Sequence, residues 1–291
     1  MTRPCRGPDY ATRAPRFAPP TLSCDTQAHV FGPSARFPYA AGRGYTPPDC
    51  PVEAYIHMLG ILGIKRGVIV HGSAHGSDNR VTLDAIERMG DRCRGVAVVE
   101  PDIPDAELEA MSRGGIRGIR LSTMLKGGLG TEHLETMAGR IATLGWHMVI
   151  HLDKVAELVE LAPRLARLPV AIVIDHLGRV RGGEGVDCAG FQALLGALRD
   201  TDNCWVKISS WYRLSDAGPP YDDMTPPAEA LIAVRADRVI WGSNWPHPIL
   251  WEGIMPNDGE LLDQFMGWAG DDATRRQILV DNPARLFGFD D

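Results

Sequence analysis

The sequence predicts an α/β protein folded as a (β/α)8 barrel of the TIM type. Short apolar, β-branched runs alternate with longer amphipathic segments along most of the 291 residues, and this order is typical of parallel strands joined by helices. The strand-like runs are apolar along nearly their whole length, which indicates a parallel sheet buried on both faces. The runs number eight, and eight strand–helix units close most naturally into a barrel.

The predicted elements follow one another at similar spacing along the chain. The strands are expected at residues 22–30, 67–71, 95–100, 118–121, 147–152, 170–175, 205–209 and 238–242. Amphipathic patterns predict helices at residues 51–62, 80–89, 105–112, 132–144, 155–166, 191–199 and 227–233. A short terminal helix within residues 282–289 is expected to dock through Leu286 and Phe287. An open doubly wound sheet is the alternative, but no glycine-rich phosphate turn follows an early strand.

The chain is expected to form one domain preceded by an arm. Residues 1–20 are rich in proline and arginine and have no periodicity, which predicts a mobile or loosely draped N-terminal arm. Residues 21–291 contain no internal repeat and no linker, so a single barrel domain is expected there. The glycine-rich stretch at residues 127–130 lacks the Lys-Ser/Thr of a phosphate-binding loop and predicts a flexible loop only.

Composition favours a small-molecule substrate. The net charge is −7, whereas a nucleic-acid or anionic-membrane partner calls for a basic surface. The six cysteines are scattered without a C-x-x-C pair, the chain does not begin with a signal-like segment, and no apolar run approaches the roughly 20 residues of a transmembrane helix. We therefore expect a cytoplasmic protein with reduced thiols and no membrane or nucleic-acid partner, whose oligomeric state is open.

Polar residues cluster at the predicted carboxyl ends of the strands, where several loops of a barrel converge on one site. These residues are Gln27, His29, His71, Ser73, Glu100, Arg120, His151, Asp153, Asp175, His176, Lys207, Arg213 and Asn244. One polar strand end is usually structural. So many at once indicate a functional site.

Histidines give this site its expected chemistry. Asp25, Gln27 and His29 alternate along the first strand, so the three side chains are expected to face the same side. Asp175-His176 is the stronger signal, because a titratable pair at the end of a buried strand needs hydrogen-bonding partners. Histidine is also the residue best suited to proton transfer near neutral pH.

Two arginines are expected to bind an anion. Arg120 follows apolar Ile119 at the end of the fourth strand, and this alternation directs its side chain into the barrel mouth. Arg213 follows the seventh strand. An inward guanidinium without a carboxylate partner needs a ligand anion, and its planar fork suits a carboxylate. Salt bridges to strand-end acids such as Asp153 or Glu100 are the structural alternative.

These blocks resemble the lactonase branch of the amidohydrolase superfamily over about residues 16–289. Matching segments lie at residues 25–32, 72–79, 118–120, 175–179, 205–207, 212–213, 241–247 and 282–288. In that superfamily the first strand usually ends in His-x-His and the eighth in Asp. Gln27 and Asn244 stand at those positions here, so two ligands of the usual divalent metal are replaced by neutral amides.

The resemblance implies site residues of two kinds. The 2-pyrone-4,6-dicarboxylate lactonases imply that Arg120 and Arg213 bind carboxylates without any metal, and that His29 and His176 flank the scissile ester. The D-galactarolactone isomerases share Gln27 and Asn244 but lack the Arg213 match. His151 departs from the lactonases, which have tyrosine there. The remaining substrate-binding candidates are Gln27, Tyr45, Ser73, His75, Ser77, Tyr212 and His247.

The expected activity is metal-independent hydrolysis of the ester bond of a carboxylated lactone, with no cofactor. Without a metal or a strand-eight Asp, the base must be a histidine. His176 or His151 is expected as base or acid and His29 as the opposing donor, with Asn244 positioning water or binding the carbonyl oxygen. The alternatives are a lactone isomerase using an internal hydroxyl, a non-catalytic lactone- or acid-binding protein, and a metal hydrolase whose ligands are the same three histidines.

Overall fold

The computed structural model describes residues 2–124 and 129–290 and contains eight parallel strands arranged as a nearly closed barrel. Each strand pairs in parallel with its neighbours in sequence. The strands are β1 Cys24–Ala28, β2 Arg66–Val70, β3 Cys93–Ala97, β4 Ile116–Ser122, β5 His147–His151, β6 Ile172–Ile174, β7 Cys204–Ile208 and β8 Val239–Trp241. The predicted barrel is confirmed. Gly127 and Gly128 of the predicted flexible loop lie outside the described residues.

The barrel closes between β1 and β8 through hydrogen bonds of the main chain just beyond β8. The amide of Asn244 donates to the carbonyl of Gln27 at 2.7 Å, and the amide of His29 donates to the carbonyl of Trp245 at 2.7 Å. Gly242 permits this approach, because a Cβ at that position would lie 2.3 Å from Cβ of Gln27. Closure therefore fixes the polar ends of the first and last strands against each other.

The helices form the outer layer of the barrel. They are α1 Val52–Leu62, α2 Arg80–Met89, α3 Asp105–Arg113, α4 Leu134–Ala142, α5 Leu158–Leu165, α6 Ala189–Asp200, α7 Thr225–Arg235, α8 Asp258–Trp268, α9 Asp272–Arg276 and α10 Asn282–Phe287. The first seven match the predicted helices apart from their ends. The predicted terminal helix is present as α10, with Phe287 buried and Leu286 half-buried. Helices α8 and α9 were not predicted.

Apolar side chains fill the interior of the barrel, and the polar groups lie at the carboxyl ends of the strands. Phe287 and Phe289 pack against this interior cluster. Its strand residues are Cys24, Val68, Val70, Val96, Val149, Val173, Trp205 and Ile240. Because these side chains exclude water from the interior, hydrogen-bonding groups gather where the strands end.

The N-terminal segment lies along the barrel and contacts helix α8. The amide of Cys5 donates to the carbonyl of Thr46 at 2.7 Å, and that of Arg16 donates to Asp263 Oδ1 at 2.7 Å. Arg16, Phe17 and one side of α8 line a cavity of about 660 Å³, and no predicted site residue lines it. The mobility expected of residues 1–20 stays a prediction.

No helix in residues 2–124 and 129–290 has both the length and the apolar character needed to cross a membrane.

Candidate active site

A buried ion cluster joins three strand ends. Asp175, which follows β6, places Oδ2 3.1 Å from a terminal guanidinium nitrogen of Arg120 and Oδ1 3.0 Å from Nζ of Lys207. Lys207 in turn donates to Oε1 of Gln27 at 2.6 Å. Burial alone raises the pKa of the Asp175 carboxyl, but the charges of Lys207 and Arg120 outweigh it and hold the pKa below its ordinary value. One carboxylate therefore faces two cations.

Arg120 is ion-paired, but not with the acids considered from the sequence. Its partner is Asp175 rather than Asp153 or Glu100, because β4 and β6 bring their carboxyl ends to the same side of the barrel. Within the described residues Nε of Arg120 is buried without a hydrogen-bond partner. Arg120 thus keeps a donor for a ligand after its ion pair has formed.

Three histidines stand beside this cluster with one ring nitrogen already engaged. Nδ1 of His29 donates to the carbonyl of Val70 at 2.7 Å. Nδ1 of His176 lies 2.7 Å from Oγ of Ser209, and Nδ1 of His151 lies 3.1 Å from the hydroxyl of Ser122. In each ring Nε2 is the nitrogen left to meet a substrate.

These histidines are neutral at neutral pH. Burial, followed by the charge of Arg120, lowers the pKa of His29 to about 3. The same two causes lower the pKa of His151 and of His176 well below the ordinary value. Because Nδ1 of neutral His29 carries the ring proton, Nε2 accepts hydrogen bonds and does not donate them. In this state His29 presents Nε2 to a ligand as an acceptor, and its expected role as a proton donor stays a prediction.

A second chain of polar contacts, two hydrogen bonds followed by an ion pair, begins at the end of β8. Nδ2 of Asn244 donates to the hydroxyl oxygen of Tyr212 at 2.9 Å, and that oxygen lies 2.9 Å from Nδ1 of His247. Nε2 of His247 lies 3.2 Å from Oδ1 of Asp258, the first residue of α8, and both side chains are buried. We call these four residues the Tyr212 chain.

The charges of the Tyr212 chain support one another. Burial lowers the pKa of His247, but the charges of Tyr212 and Asp258 outweigh it and raise that pKa to about 9. Burial raises the pKa of Tyr212, yet His247 and Arg213 bring it below its ordinary value. His247 is therefore a buried imidazolium at neutral pH.

Left-handed backbone positions fix several of these side chains. The φ angles are 54° at His176, 64° at Asn244 and 59° at His247. Non-glycine residues in this region carry about 1–3 kcal/mol of strain and are concentrated at functional sites. At these three positions the strained backbone directs the side chain into the site.

The structure brings some of the predicted substrate-binding residues to the cluster. Arg213 donates to the carbonyl of Pro248 and lies over the ring of Tyr212 at 5.7 Å. The hydroxyls of Tyr45 and Ser73 are 3.4 Å apart. The charge of Arg120 acts on the Tyr45 hydroxyl, which places this pair beside the cluster.

His75 and Ser77 lie farther toward the rim. The ring of His75 stacks on Phe31 at 6.0 Å and lies against Tyr39 at 4.8 Å. Burial, the largest cause, lowers the pKa of His75, and the charges that act on it are Asp78 and Asp49 rather than the arginines of the cluster. Ser77 is exposed. The structure does not bring these two residues to the cluster.

The strand-one alternation is broken at Asp25. Its carboxylate accepts hydrogen bonds from Ser243 at 2.6 Å and from Tyr55 of α1 at 3.1 Å, whereas Gln27 binds Lys207. The pairing register of β1 shifts between Asp25 and Ala28. The expectation that Asp25 shares a face with Gln27 and His29 is therefore wrong.

The sequence did not predict a functional role for three residues of the site, Asp175, Lys207 and Asp258. Asp175 and Lys207 were recognised as polar strand ends without a role of their own. Alternation of Lys207 with Trp205 and Ser209 was the signal that could have placed its side chain inside the barrel. Asp258 gave no such signal, because it meets His247 only through the path of the irregular loop before α8.

The profile of the amidohydrolase family matches residues 24–289. The chain belongs to the amidohydrolase family. It is therefore an enzyme of that superfamily, as its strand ends indicated.

Relatives that match this amidohydrolase over nearly its full length are named as lactone hydrolases or as a lactone isomerase. A 4-sulfomuconolactone hydrolase of Rhizobium radiobacter is 43% identical over 98% of this chain and 96% of its own length. A 2-pyrone-4,6-dicarboxylate hydrolase of Comamonas testosteroni is 39% identical over 94% of this chain and 92% of its own. The D-galactarolactone isomerase of Agrobacterium fabrum is 31% identical over 94% of both chains.

Solved structures agree with the barrel. An apo crystal structure from Agrobacterium tumefaciens superposes with a TM-score of 0.84 at 30% identity, covering 95% of this chain and 99% of that one. The (β/α)8 architecture of this amidohydrolase is thus shared with experimental structures over nearly its full length.

Proposed function

We propose that this amidohydrolase hydrolyses the ester bond of a lactone that carries one or more carboxylate groups, without a metal. The observation that carries the proposal is the combination of unpaired cationic donors with neutral histidines at one end of the barrel. Arg213 and the free Nε of Arg120 offer donors to an anion. Burial, followed by the charge of Arg120, holds the histidines beside them neutral.

The cationic donors also suit the chemistry of ester cleavage. Attack on a lactone carbonyl develops negative charge on its oxygen, and preorganised cationic donors in a dry site stabilise that charge. Arg120 and Lys207 lie on one carboxylate, so their cluster keeps a net positive charge. The names of the relatives agree with an anionic lactone, since one relative is named for a sulfonated lactone and another for a dicarboxylate.

Metal independence is proposed because the donor set does not fit a divalent cation. An ammonium already stands 2.6 Å from Gln27 and 3.0 Å from Asp175, and a metal beside it would be repelled. Asn244 turns its NH2 group to Tyr212. Among the described residues no three His, Cys, Asp or Glu side chains converge as a metal-binding group.

Isomerisation is the second candidate. Gln27 and Asn244 occur together in the isomerase pattern, and the galactarolactone isomerase is a full-length relative. A hydroxyl of the substrate would then attack the carbonyl in place of water, and the same side chains would serve.

The test is NMR of chelator-treated protein with a panel of carboxylated γ- and δ-lactones. Ring opening with one oxygen from labelled water supports hydrolysis, whereas ring migration without label supports isomerisation. Binding without turnover of any lactone contradicts both. Activity that is lost on chelation and restored by zinc or manganese contradicts metal independence.

We also propose a cytoplasmic location. All six cysteines are free thiols, and an oxidising compartment favours disulfides instead. Fractionation of the native cells, with immunodetection of the chain, tests this location.

A further inference from the structure

We propose that Tyr212 is the catalytic proton acceptor of this site, and that His247 and Asp258 are positioning residues that hold it as a phenolate. The inference rests on the proposed lactone reaction and moves the base from a histidine to a tyrosine. Its starting point is the geometry of the Tyr212 chain, in which Asn244 and His247 lie 2.9 Å from the tyrosine oxygen.

The direction of each hydrogen bond follows from what each group is able to do. The amide nitrogen of Asn244 only donates. Asp258 forms an ion pair with His247, with Oδ1 3.2 Å from Nε2, and this pairing favours a ring that is protonated on both nitrogens. An imidazolium then also donates from Nδ1. The Tyr212 oxygen therefore receives two donors, which is the arrangement that stabilises a phenolate.

The charge of Arg213 also favours an ionised Tyr212. Arg213 lies over the Tyr212 ring, 5.7 Å from its centroid. Tyr221 is also close enough to interact electrostatically with Tyr212, and Glu260 acts on Tyr221 in turn. Burial opposes ionisation of Tyr212, but the His247 and Arg213 charges outweigh it, so the pKa of Tyr212 lies below its ordinary value.

The lowered pKa values of the buried histidines make them poorly suited to act as the base. A general base is most effective when its pKa lies near the working pH. The pKa of His29 is lowered to about 3, and His151 and His176 are lowered well below their ordinary values. The pKa of Tyr212 is lowered from its ordinary value of 10.0, and the two donors on its oxygen favour the phenolate as the group that takes a proton from water.

The proposed step conserves every atom and proton. The phenolate of Tyr212 takes a proton from water while the water oxygen bonds to the lactone carbonyl carbon. Collapse of the tetrahedral intermediate breaks the ring C–O bond, and the ring oxygen takes that proton back from Tyr212. The product is the hydroxy acid, and Tyr212 returns to the phenolate. An internal hydroxyl in place of water gives isomerisation by the same transfer.

A spectroscopic titration tests the ionisation without any substrate. The other five tyrosines have raised pKa values, with Tyr10 and Tyr221 at about 12. The first tyrosinate absorbance to appear as pH rises is therefore expected to belong to Tyr212. It should be absent from Tyr212→Phe and unchanged in the matched control Tyr221→Phe. A first transition that persists in Tyr212→Phe overturns the inference.

Kinetics test the role in turnover. Removal of a general base typically lowers the rate 10²–10⁴-fold, so we expect that loss in kcat of Tyr212→Phe with a KM within a few-fold of wild type. Tyr221→Phe should retain wild-type kcat. A raised KM with unchanged kcat makes Tyr212 a binding residue and overturns the catalytic role.

Asp258→Asn separates positioning from folding. Asp258 is one of the groups that raise the pKa of His247. Without this carboxylate that pKa should fall, and the titration of Tyr212 should move to higher pH together with the rise of the pH–rate profile. An unmoved titration in a variant with wild-type melting temperature overturns the positioning role. If wild type turns over no lactone, the proposed function fails, and the titration still decides whether Tyr212 is ionised.

Discussion

Arg120 and Arg213 carry the same charge but differ in what neutralises it. Arg120 shares Asp175 with Lys207, so it is part of the folded framework as well as of the site. Arg213 donates to a backbone carbonyl and lies over an aromatic ring, so its charge is free for an anion. The two residues should therefore respond differently to substitution.

Arg213→Met is expected to weaken apparent substrate binding by about 2–5 kcal/mol, which is the range for a desolvated charge pair, with little change in melting temperature. Arg120→Met should weaken binding and also lower the melting temperature, because it leaves Asp175 with one cation. Steady-state kinetics and thermal denaturation of both variants give the comparison. An unchanged KM for Arg213→Met would assign this residue a structural role.

Asn244→Asp tests the donor at the end of β8. A carboxylate cannot donate to the Tyr212 oxygen, and its charge opposes a phenolate beside it. We expect slower lactone turnover and a Tyr212 titration displaced to higher pH. A large gain in hydrolysis would instead show that a strand-eight carboxylate is the better base and that the native chain is better explained by isomerisation or binding.

Residues at strand ends were predictable because each follows an apolar run at a barrel position where side chains converge. Gln27, Arg120 and Asn244 belong to this class. The partner of each was not predictable, since Asp175 meets Arg120 only after β4 and β6 take their places in the barrel. The position of Asp258 is set by an irregular loop, and such a loop has no sequence periodicity from which the contact with His247 could be predicted.

At the scale of elements, barrel closure depends on the absence of a side chain at Gly242. A Cβ there would lie 2.3 Å from Cβ of Gln27 and 2.7 Å from its amide nitrogen. The Cβ atom of Gln27 and its amide nitrogen are both fixed by the path of the backbone, so neither can rotate away from an added methyl group.

Gly242→Ala is expected to destabilise the fold by about 1–3 kcal/mol, the usual cost of overpacking, and to impair turnover because Gln27 and Asn244 move apart. Gly267→Ala is the matched control: it lies within α8 with nothing within 4 Å of an added Cβ. Alanine in a helix interior is favoured over glycine by roughly 0.5–1 kcal/mol. Chemical denaturation of both variants measures the difference, and equal stability would contradict the closure argument.

The strands and first seven helices followed from periodicity because strand burial and helix amphipathicity leave direct marks on sequence. Helix α8 was missed although Asn257 provides an N-cap, accepting from the amide of Gly259 at 3.2 Å. Of its eleven residues, eight are buried. A helix buried on most of its surface has a weak amphipathic period, and pattern reading fails there.

At the scale of the whole molecule, buried neutral histidines govern stability in acid. Burial is the leading cause that lowers the pKa values of His29, His71 and His147 to about 3 from 6.5. The folded state therefore binds fewer protons than the unfolded state between these pH values. Their stabilisation is complete above about pH 6.5 and is lost as pH falls toward 3.

The melting temperature is accordingly expected to fall as pH drops from 7 to 4. Asp25 acts in the opposite sense: burial raises its pKa to about 6 from 3.8, so its stabilisation is present below pH 3.8 and is lost as pH rises through 6. Three histidines outweigh this one carboxyl. His147→Gln should flatten the profile, whereas His57→Gln, at an exposed position, should leave it unchanged. A profile that rises toward acid would contradict this account.

The N-terminal segment is connected to the active site through Asn257. The side chain of Asn257 accepts from the amide of Arg13 at 3.0 Å and donates to Asp9 at 2.8 Å, and Asn257 is followed directly by Asp258, which holds His247. Proteolysis after residue 17 would spare every strand and yet release the start of α8. We expect such clipped protein to keep its circular dichroism spectrum and its melting temperature while kcat falls. A protease, a fusion tag or an antibody acting at the amino terminus would then lower kcat without touching the active site.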